Sequence, residues 1–574
     1  MLAARGGLCL SECSHTLRAA VRSLGACLPR VASRLGAPAV EQRRGAAWSV
    51  EREKGQVYKD ANKIIDHEKI FKALESTKHL AQDKGRVREI LEAAKERSFL
   101  KDFETEGKTH VSEYVQGLTL EEMATLLHVP PESEDLIQEI YDVALHIKER
   151  IYGNRIVLFA PLYIANYCVN SCTYCAFRAS NKDIARSALT DDQIRSQVAT
   201  LERQGHRRLL VLTGEHPKYT FDQFLNALQV ISDVRTEPCG SIRRVNVEIP
   251  SLSLSDMRRL KATDKVGTYT LFQETYHLPT FRQMHPTGPK GNYPNRVLTH
   301  DRAMRAGLDD VGVGVLFGLY DYKFECLALL QHAEHLEREY NAGPHTISVP
   351  RLRPAMGSDV ASAPPFAVDD AHFKKLVAIL RIAVPYTGMI LSTRESPEMR
   401  EHLLKVGMSQ MSAGSSTEVG GYHRQDSEET REALSDLSKQ ADLPTSSAAA
   451  GKEEGGGKLG GQFQLEDNRT TSEIVRDLLE RGYVPSWCTA CYRKGRTGEH
   501  FMKIAKAGNI HNFCHPNSLL TLKEWLMDYA DPETKGIGER VIKAESERDL
   551  SPHAAALLKR KLQKVEKGQH DVYI

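Results

Sequence analysis

Three cysteines within eight residues, Cys168-Val-Asn-Ser-Cys172-Thr-Tyr-Cys175, are the first feature of the sequence that could do chemistry. A [4Fe–4S] cube normally takes four cysteine thiolates. Three leave one iron open to a small ligand, the logic that separates catalytic from closed metal sites. The competing readings are a zinc site, which lacks a fourth ligand in this stretch, and buried thiols, which Asn170 and Ser171 make a poor core segment. A second triplet, Cys488-Thr-Ala-Cys491 with Cys514, lies far along the chain. By itself it has zinc as a serious alternative, because His500, His511 and His515 could supply a fourth ligand. A redox dithiol would need a thioredoxin-like βαβ context, which the surrounding sequence does not offer.

The elements that must hold these thiols follow from the hydrophobic pattern. Short apolar, β-branched runs occur at Ile156–Tyr163, Leu209–Thr213, Val245–Ile249, Tyr269–Phe272, Val311–Phe317, Thr346–Val349, Met389–Ser392 and Ser409–Met411. Helical patterns separate most of them, at Asp191–Gln204, Phe221–Val234, Ser255–Lys261, Val297–Ala306, Phe324–Tyr340, Asp369–Val384 and Pro397–Val406. Eight buried strands alternating with helices describe an α/β protein of the (β/α)8 barrel type. An open doubly wound sheet is the runner-up, but no GxGxxG follows the first strand. The first triplet then sits on the loop at the C-terminal end of the first strand, where barrel chemistry is located.

Composition bounds the rest. The chain has 574 residues, 77 Lys+Arg against 75 Asp+Glu, and 11 Cys. That near balance offers no electrostatic argument for nucleic acid, and no apolar run is long enough to span a bilayer. The cysteines are too sparse for a disulfide scaffold. Residues 1–50 hold seven Arg, no Lys and only Glu12 and Glu41 as acids, which reads as an organellar transit peptide. Its Arg/Ala-rich character suggests a plastid, with a mitochondrion or hydrogenosome as the alternative. Residues 51–152 read as an N-terminal helical extension and 153–423 as the barrel. Residues 424–467, small and polar, read as a low-complexity insertion, and 468–574 as a C-terminal helical module that holds the second triplet.

The first triplet, with Tyr174 before its last cysteine, resembles the signature of the radical S-adenosylmethionine (SAM) superfamily. The resemblance implies a SAM-bound [4Fe–4S] cluster on Cys168, Cys172 and Cys175. It also implies roles in SAM binding for Tyr174, for Gly214 and Glu215 in Thr213-Gly-Glu, for Glu274 toward the ribose, and for Gly314 toward adenine. Within the superfamily the chain is similar to the tyrosine lyases, and most of all to the one that matures [FeFe]-hydrogenase. The residues that carry this are Phe272–His277, His285–Lys290, Gly307–Lys323 and Gly343–Pro354, together with the second triplet. The related lyase of thiazole biosynthesis (2-iminoacetate synthase) shares the barrel, including its biotin/thiamin-synthesis-associated region, and lacks that triplet.

What the similarity implies is a radical lyase. It cleaves the Cα–Cβ bond of L-tyrosine to p-cresol and dehydroglycine, and a second [4Fe–4S] cluster on Cys488, Cys491 and Cys514 turns the fragment into CO and cyanide. The implied partners are an electron donor such as ferredoxin or flavodoxin and the other hydrogenase maturation proteins. Arg351 and Arg353, two apart at the sixth strand's exit, are candidates for the tyrosine carboxylate, with a rim salt bridge as the alternative. His345 precedes the sixth strand, at the opposite end of the barrel, and is a candidate ligand for one additional iron. A non-catalytic Fe–S or zinc scaffold is the reading from a different functional class.

Overall fold

A computed structural model of the chain describes residues 56–98, 116–422, 460–548 and 550–574. The expected transit peptide and residues 424–459 of the expected insertion lie outside the described residues.

Eight parallel strands close on themselves. They are β1 (Arg155–Ala165), β2 (Arg208–Thr213), β3 (Arg244–Glu248), β4 (Val266–Thr270), β5 (Val311–Gly314), β6 (Thr346–Ser348), β7 (Gly388–Leu391) and β8 (Gln410–Ser412). Each pairs with the next, and β1 pairs with both β2 and β8, so the sheet has no seam in the barrel. Side chains alternate between lumen and helix layer, as strand geometry requires. Ile156, Leu158 and Ala160 join the main core under the helices, whereas Val157, Phe159 and Pro161 line cavities inside the barrel. The connecting helices start where polar caps dictate. Thr190 with Gln193 and Thr220 with Gln223 form reciprocal capping boxes that open the helices Asp191–Arg203 and Phe221–Asp233.

Two extensions flank the barrel. The N-terminal helices His67–Thr77, Lys84–Arg97, Leu120–His128 and Glu134–Tyr152 pack on the barrel helices Tyr322–Tyr340 and Asp370–Ala383. At the C-terminus, the helices His511–Asp528, Pro532–Ser546 and Pro552–Glu566 pack on one another. This module enters the sheet through a ninth strand that the sequence pattern does not announce, β9 (Val484–Ser486). Val484 to Ser486 pair in parallel with Arg155 to Val157, at the start of β1. Cys488 therefore emerges at the N-terminal end of the barrel, opposite the Cys168 loop.

One expected boundary needs correction. Residues 460–467 were assigned by composition to the insertion, but they form a strap across the C-terminal strand ends. Gln462, Gln464 and Glu466 donate backbone N–H groups to the carbonyls of Thr417, Pro354 and Thr393. Asp467 is buried and pairs with Arg400 and Arg469. The segment has few apolar side chains, so its order comes from backbone hydrogen bonds and this buried charge network, neither of which leaves a hydropathy signal.

Candidate functional site

The Cys168–Cys175 loop is braced from three sides. Val169 N–H donates to Glu215 O at 2.8 Å, Ser171 N–H to Thr287 O at 3.1 Å and Thr173 N–H to Met284 O at 3.0 Å. Asn170 is the pin: its Nδ2 donates to Glu215 Oε2 at 2.7 Å, and its Oδ1 accepts from Lys290 N–H at 2.9 Å. Gly214 is required here, because a Cβ would fall 2.2 Å from Tyr167 O. All three thiols are free, and Gln462 Nε2 from the strap points at Cys175 Sγ at 3.7 Å. Burial pushes the Cys172 thiol up to about 12, opposed by Lys290 and reinforced by Cys175 and Cys168. Crowded, buried sulfurs of this kind fit a polynuclear iron core, whose positive charge offsets the cost of thiolate formation.

Above the loop lies a cavity ringed by the C-terminal ends of the strands. Tyr174 and Cys175 form part of its wall, and the Tyr174 hydroxyl bonds His285 Nε2 at 2.7 Å. Five charged side chains line it: Glu248, Glu274, Lys290, Arg353 and Arg394. Three are already answered. Glu274, at φ +72°, accepts from Lys290 Nζ at 2.7 Å with Arg296 at 3.6 Å, and Arg353 Nη2 donates to Glu395 at 2.8 Å. Lys290 and Arg296 outweigh burial and hold the Glu274 carboxyl below its ordinary range. The carboxylate of Glu248 and the guanidinium of Arg394 make no hydrogen bond or ion pair with the described residues; Arg394 stacks on Phe463 of the strap with its Cζ 3.4 Å from the ring centroid.

Two expectations change. Arg351 is no part of the cavity wall: its Nε donates to Glu395 at 3.0 Å and its Nη1 to Asp370 at 2.8 Å, the rim salt bridge that was the alternative. Gly314 does not line the cavity either. Its missing Cβ is filled by the Phe272 ring, 2.7 Å from the ideal position, so the small residue serves side-chain packing.

The second triplet lines a separate cavity at the N-terminal end. Cys488, Cys491 and Cys514 share its wall with His345, Arg155, Arg208 and Arg244. The three arginines open β1, β2 and β3, with Arg208 and Arg244 in register, a positive ring legible in sequence once the strands are placed. Arg208 Nη1 donates to Cys488 O at 2.6 Å, whereas the buried Nε atoms of Arg155 and Arg208 have no partner. Cys514 beside it, aided by Arg496 and Arg155, draws the Cys491 thiol down, and Cys514 itself is pushed well up. His345 Nδ1 lies 3.5 Å from Asp310 Oδ1 without hydrogen-bond geometry, and burial lowers the ring to about 4. A neutral imidazole, three sulfurs and unpaired guanidinium donors fit an anionic iron–sulfur centre.

The three histidines that offered zinc a fourth ligand do not line this cavity. His500 is exposed, while His515 Nε2 bonds Glu545 O at 2.9 Å and stacks on His511. A single zinc draws its donors to about 2.0–2.3 Å of one point. No group of three or more His, Cys, Asp and Glu among the described residues converges to hold one ion. Gln410 of β8 lines both cavities, which makes it the divide between them. Its Nε2 would be 2.1 Å from a Cβ at Gly388.

Comparison with known proteins agrees with this architecture. The Radical SAM superfamily model matches residues 162–332, and the Biotin and Thiamin Synthesis associated domain model matches 348–484. The chain is 32% identical over 294 residues to 2-iminoacetate synthase of Salmonella typhimurium, covering 51% of this chain and 75% of that one. The crystal structure of HydG, a maturase of the [FeFe]-hydrogenase, superposes with a TM-score of 0.76 at 46% identity, covering 89% of this chain and 100% of that one. HydG from Carboxydothermus hydrogenoformans superposes at 0.67 and 33% identity, covering 88% and 99%. Shares this large cannot be reached without part of the C-terminal module. The chain belongs to the radical SAM superfamily and, within it, to the HydG family of [FeFe]-hydrogenase maturases.

Proposed function

We propose that this chain is a radical SAM lyase that cleaves the Cα–Cβ bond of L-tyrosine to p-cresol and dehydroglycine. The fragment is then converted to CO and cyanide at a second cluster, for assembly of the [FeFe]-hydrogenase active site. The observation that carries this reading is the presence of two cysteine triplets at opposite ends of one barrel, each on its own cavity, with Gln410 shared between them. A 2-iminoacetate synthase would need only the upper site. Cys168, Cys172 and Cys175 would hold a cluster that, with SAM bound, would supply the hydrogen-abstracting radical chemistry the reaction needs.

The chain's own residues do the rest. Cys168, Cys172 and Cys175 hold the upper cluster, and the Asn170–Glu215–Lys290 brace fixes their loop. Arg394, which makes no side-chain hydrogen bond or ion pair with the described residues and sits over the Phe463 ring, clamps the substrate carboxylate, the role the sequence offers to Arg351 or Arg353. The closed barrel keeps the reactive fragment away from water on its way past Gln410. Cys488, Cys491 and Cys514 hold the lower cluster, His345 offers a nitrogen to one additional iron, and Arg155, Arg208 and Arg244 supply countercharge. The Arg-rich first fifty residues support delivery to a plastid, where a ferredoxin or flavodoxin provides electrons.

Anaerobic reconstitution with SAM, dithionite and tyrosine tests the reading. It predicts p-cresol and CO from the same preparation. p-Cresol without CO would reduce the protein to a tyrosine lyase, and neither product would leave a scaffold.

A further inference from the structure

The substrate is a zwitterion, and the upper cavity presents an unanswered pair of charges. Among its five charged wall residues only Arg394 and Glu248 make no side-chain hydrogen bond or ion pair with the described residues. Their signs are opposite, and an amino acid offers one group to each. If Arg394 takes the carboxylate, the ammonium is left to Glu248. The lyase reaction removes a hydrogen atom from nitrogen, and a free amino acid's ammonium, held by its own carboxylate above the range of about 7.7–8.0 of a chain N-terminus, is mostly protonated at neutral pH. Loss of a hydrogen atom from an ammonium would leave a radical on a nitrogen that is still cationic. The neutral amine is the competent form, so something must take a proton first.

We propose that Glu248 is the general base that deprotonates the ammonium of bound tyrosine before the radical step. The inference rests on the tyrosine lyase reading and adds a catalytic residue to it. The step is a proton transfer only: the ammonium N–H bond breaks, its electron pair stays on nitrogen, and the proton goes to a Glu248 carboxylate oxygen. Glu248 ends β3, beside Thr270 of β4 and Leu212 of β2, at the end of the barrel that holds the first triplet. The groups facing it are Tyr163 from β1, Glu274 after β4, Lys290 and Arg296 from the segment beyond, and Arg394 after β7. Burial first, and then Glu274, raise the Glu248 carboxyl to about 7 against the pull of Lys290, Arg296 and Arg394. A base with a pKa near the working pH transfers protons most effectively.

The test compares the reconstituted full chain with its E248Q and E248D variants, using p-cresol formation across pH 6–9.5. Iron content and SAM cleavage with dithionite alone establish that each variant is folded and loaded. In E248Q, kcat at pH 7 should fall by roughly 10²- to 10⁴-fold. Its logarithm should then climb with unit slope as solution deprotonates the amine, while the wild type levels off and E248D keeps part of the rate. Competition with 3-(4-hydroxyphenyl)propanoate, which lacks the amine, gives a binding readout: E248Q should lose the wild type's preference for tyrosine. An unchanged kcat and pH profile would overturn the assignment. So would a raised KM for SAM with the tyrosine preference intact, which would place Glu248 on the cofactor. A wild type that makes no p-cresol would instead overturn the lyase reading, and this inference with it.

Discussion

Replacing Arg394 by Gln should cripple tyrosine use while leaving the fold intact, and the structure sets the size of the effect. The guanidinium lines the upper cavity, sits over Phe463 at 3.4 Å and forms no ion pair with a carboxylate among the described residues. Its removal therefore breaks no hydrogen-bonded ion pair among the described residues, and most of the loss falls on the ligand. Truncating one partner of a buried, hydrogen-bonded charge pair costs about 2–5 kcal/mol. At about 1.4 kcal/mol per tenfold, that is a roughly thirty- to four-thousand-fold drop in kcat/KM for tyrosine. R351Q should behave in the opposite way. Arg351 is bound to Glu395 and Asp370 and touches no part of the cavity, so its loss should lower stability by about 3 kcal/mol and leave kcat/KM within about threefold. Steady-state p-cresol formation and urea unfolding on the same preparations separate the two. If R394Q keeps kcat/KM within threefold of wild type while R351Q or R353Q loses it, the clamp is misassigned.

The double variant C488A/C491A should retain p-cresol formation and lose CO; unaltered CO output would refute the lower site. In G388A the new Cβ would lie 2.1 Å from Gln410 Nε2 and must displace that side chain into the lumen between the cavities. CO per p-cresol should fall and free glyoxylate, the hydrolysis product of dehydroglycine, should rise; an unchanged ratio would mean that the fragment does not pass Gln410. Glu325 is buried, accepts from Thr275 Oγ1 and Tyr276 N–H, and is raised by burial to about 8. Its folded value lies above the unfolded one of about 4.3, so its contribution is full below that pH and lost as pH rises toward 8. E325Q cannot ionise, so its urea midpoint relative to wild type should be higher at pH 8.5 than at pH 6; a pH-independent difference would refute the assignment.

The barrel is legible in the sequence because its strands are short, continuously apolar and separated by amphipathic helices. The run Thr346–Val349 became β6 at Thr346–Ser348, and Met389–Ser392 became β7 at Gly388–Leu391. Both triplets are legible through spacing, and the placement of His345 at the lower end follows from strand direction alone. β9 escapes because Val484–Ser486 is three residues long and contains Pro485, and its pairing with β1 is set by the packing of a distant module. Arg394 and Glu248 escape for another reason. Each is one charged residue at a strand end among many, and what distinguishes them is that no described residue hydrogen-bonds or ion-pairs with their side chains, a property of three-dimensional packing. Arg351 looked equivalent to Arg353 in sequence, but Glu395 and Asp370, far apart from it along the chain, claim its nitrogens.

Metal analysis of anoxically loaded protein bears on all of this at once. Two sets of three sulfurs predict about eight irons per polypeptide, with acid-labile sulfide to match, and the additional iron at His345 makes about nine. Alanine at Cys168, Cys172 and Cys175, or at Cys488, Cys491 and Cys514, should each remove about half. Zinc in place of iron, or a full iron complement in the chain that lacks the second set, would contradict the two-cluster architecture.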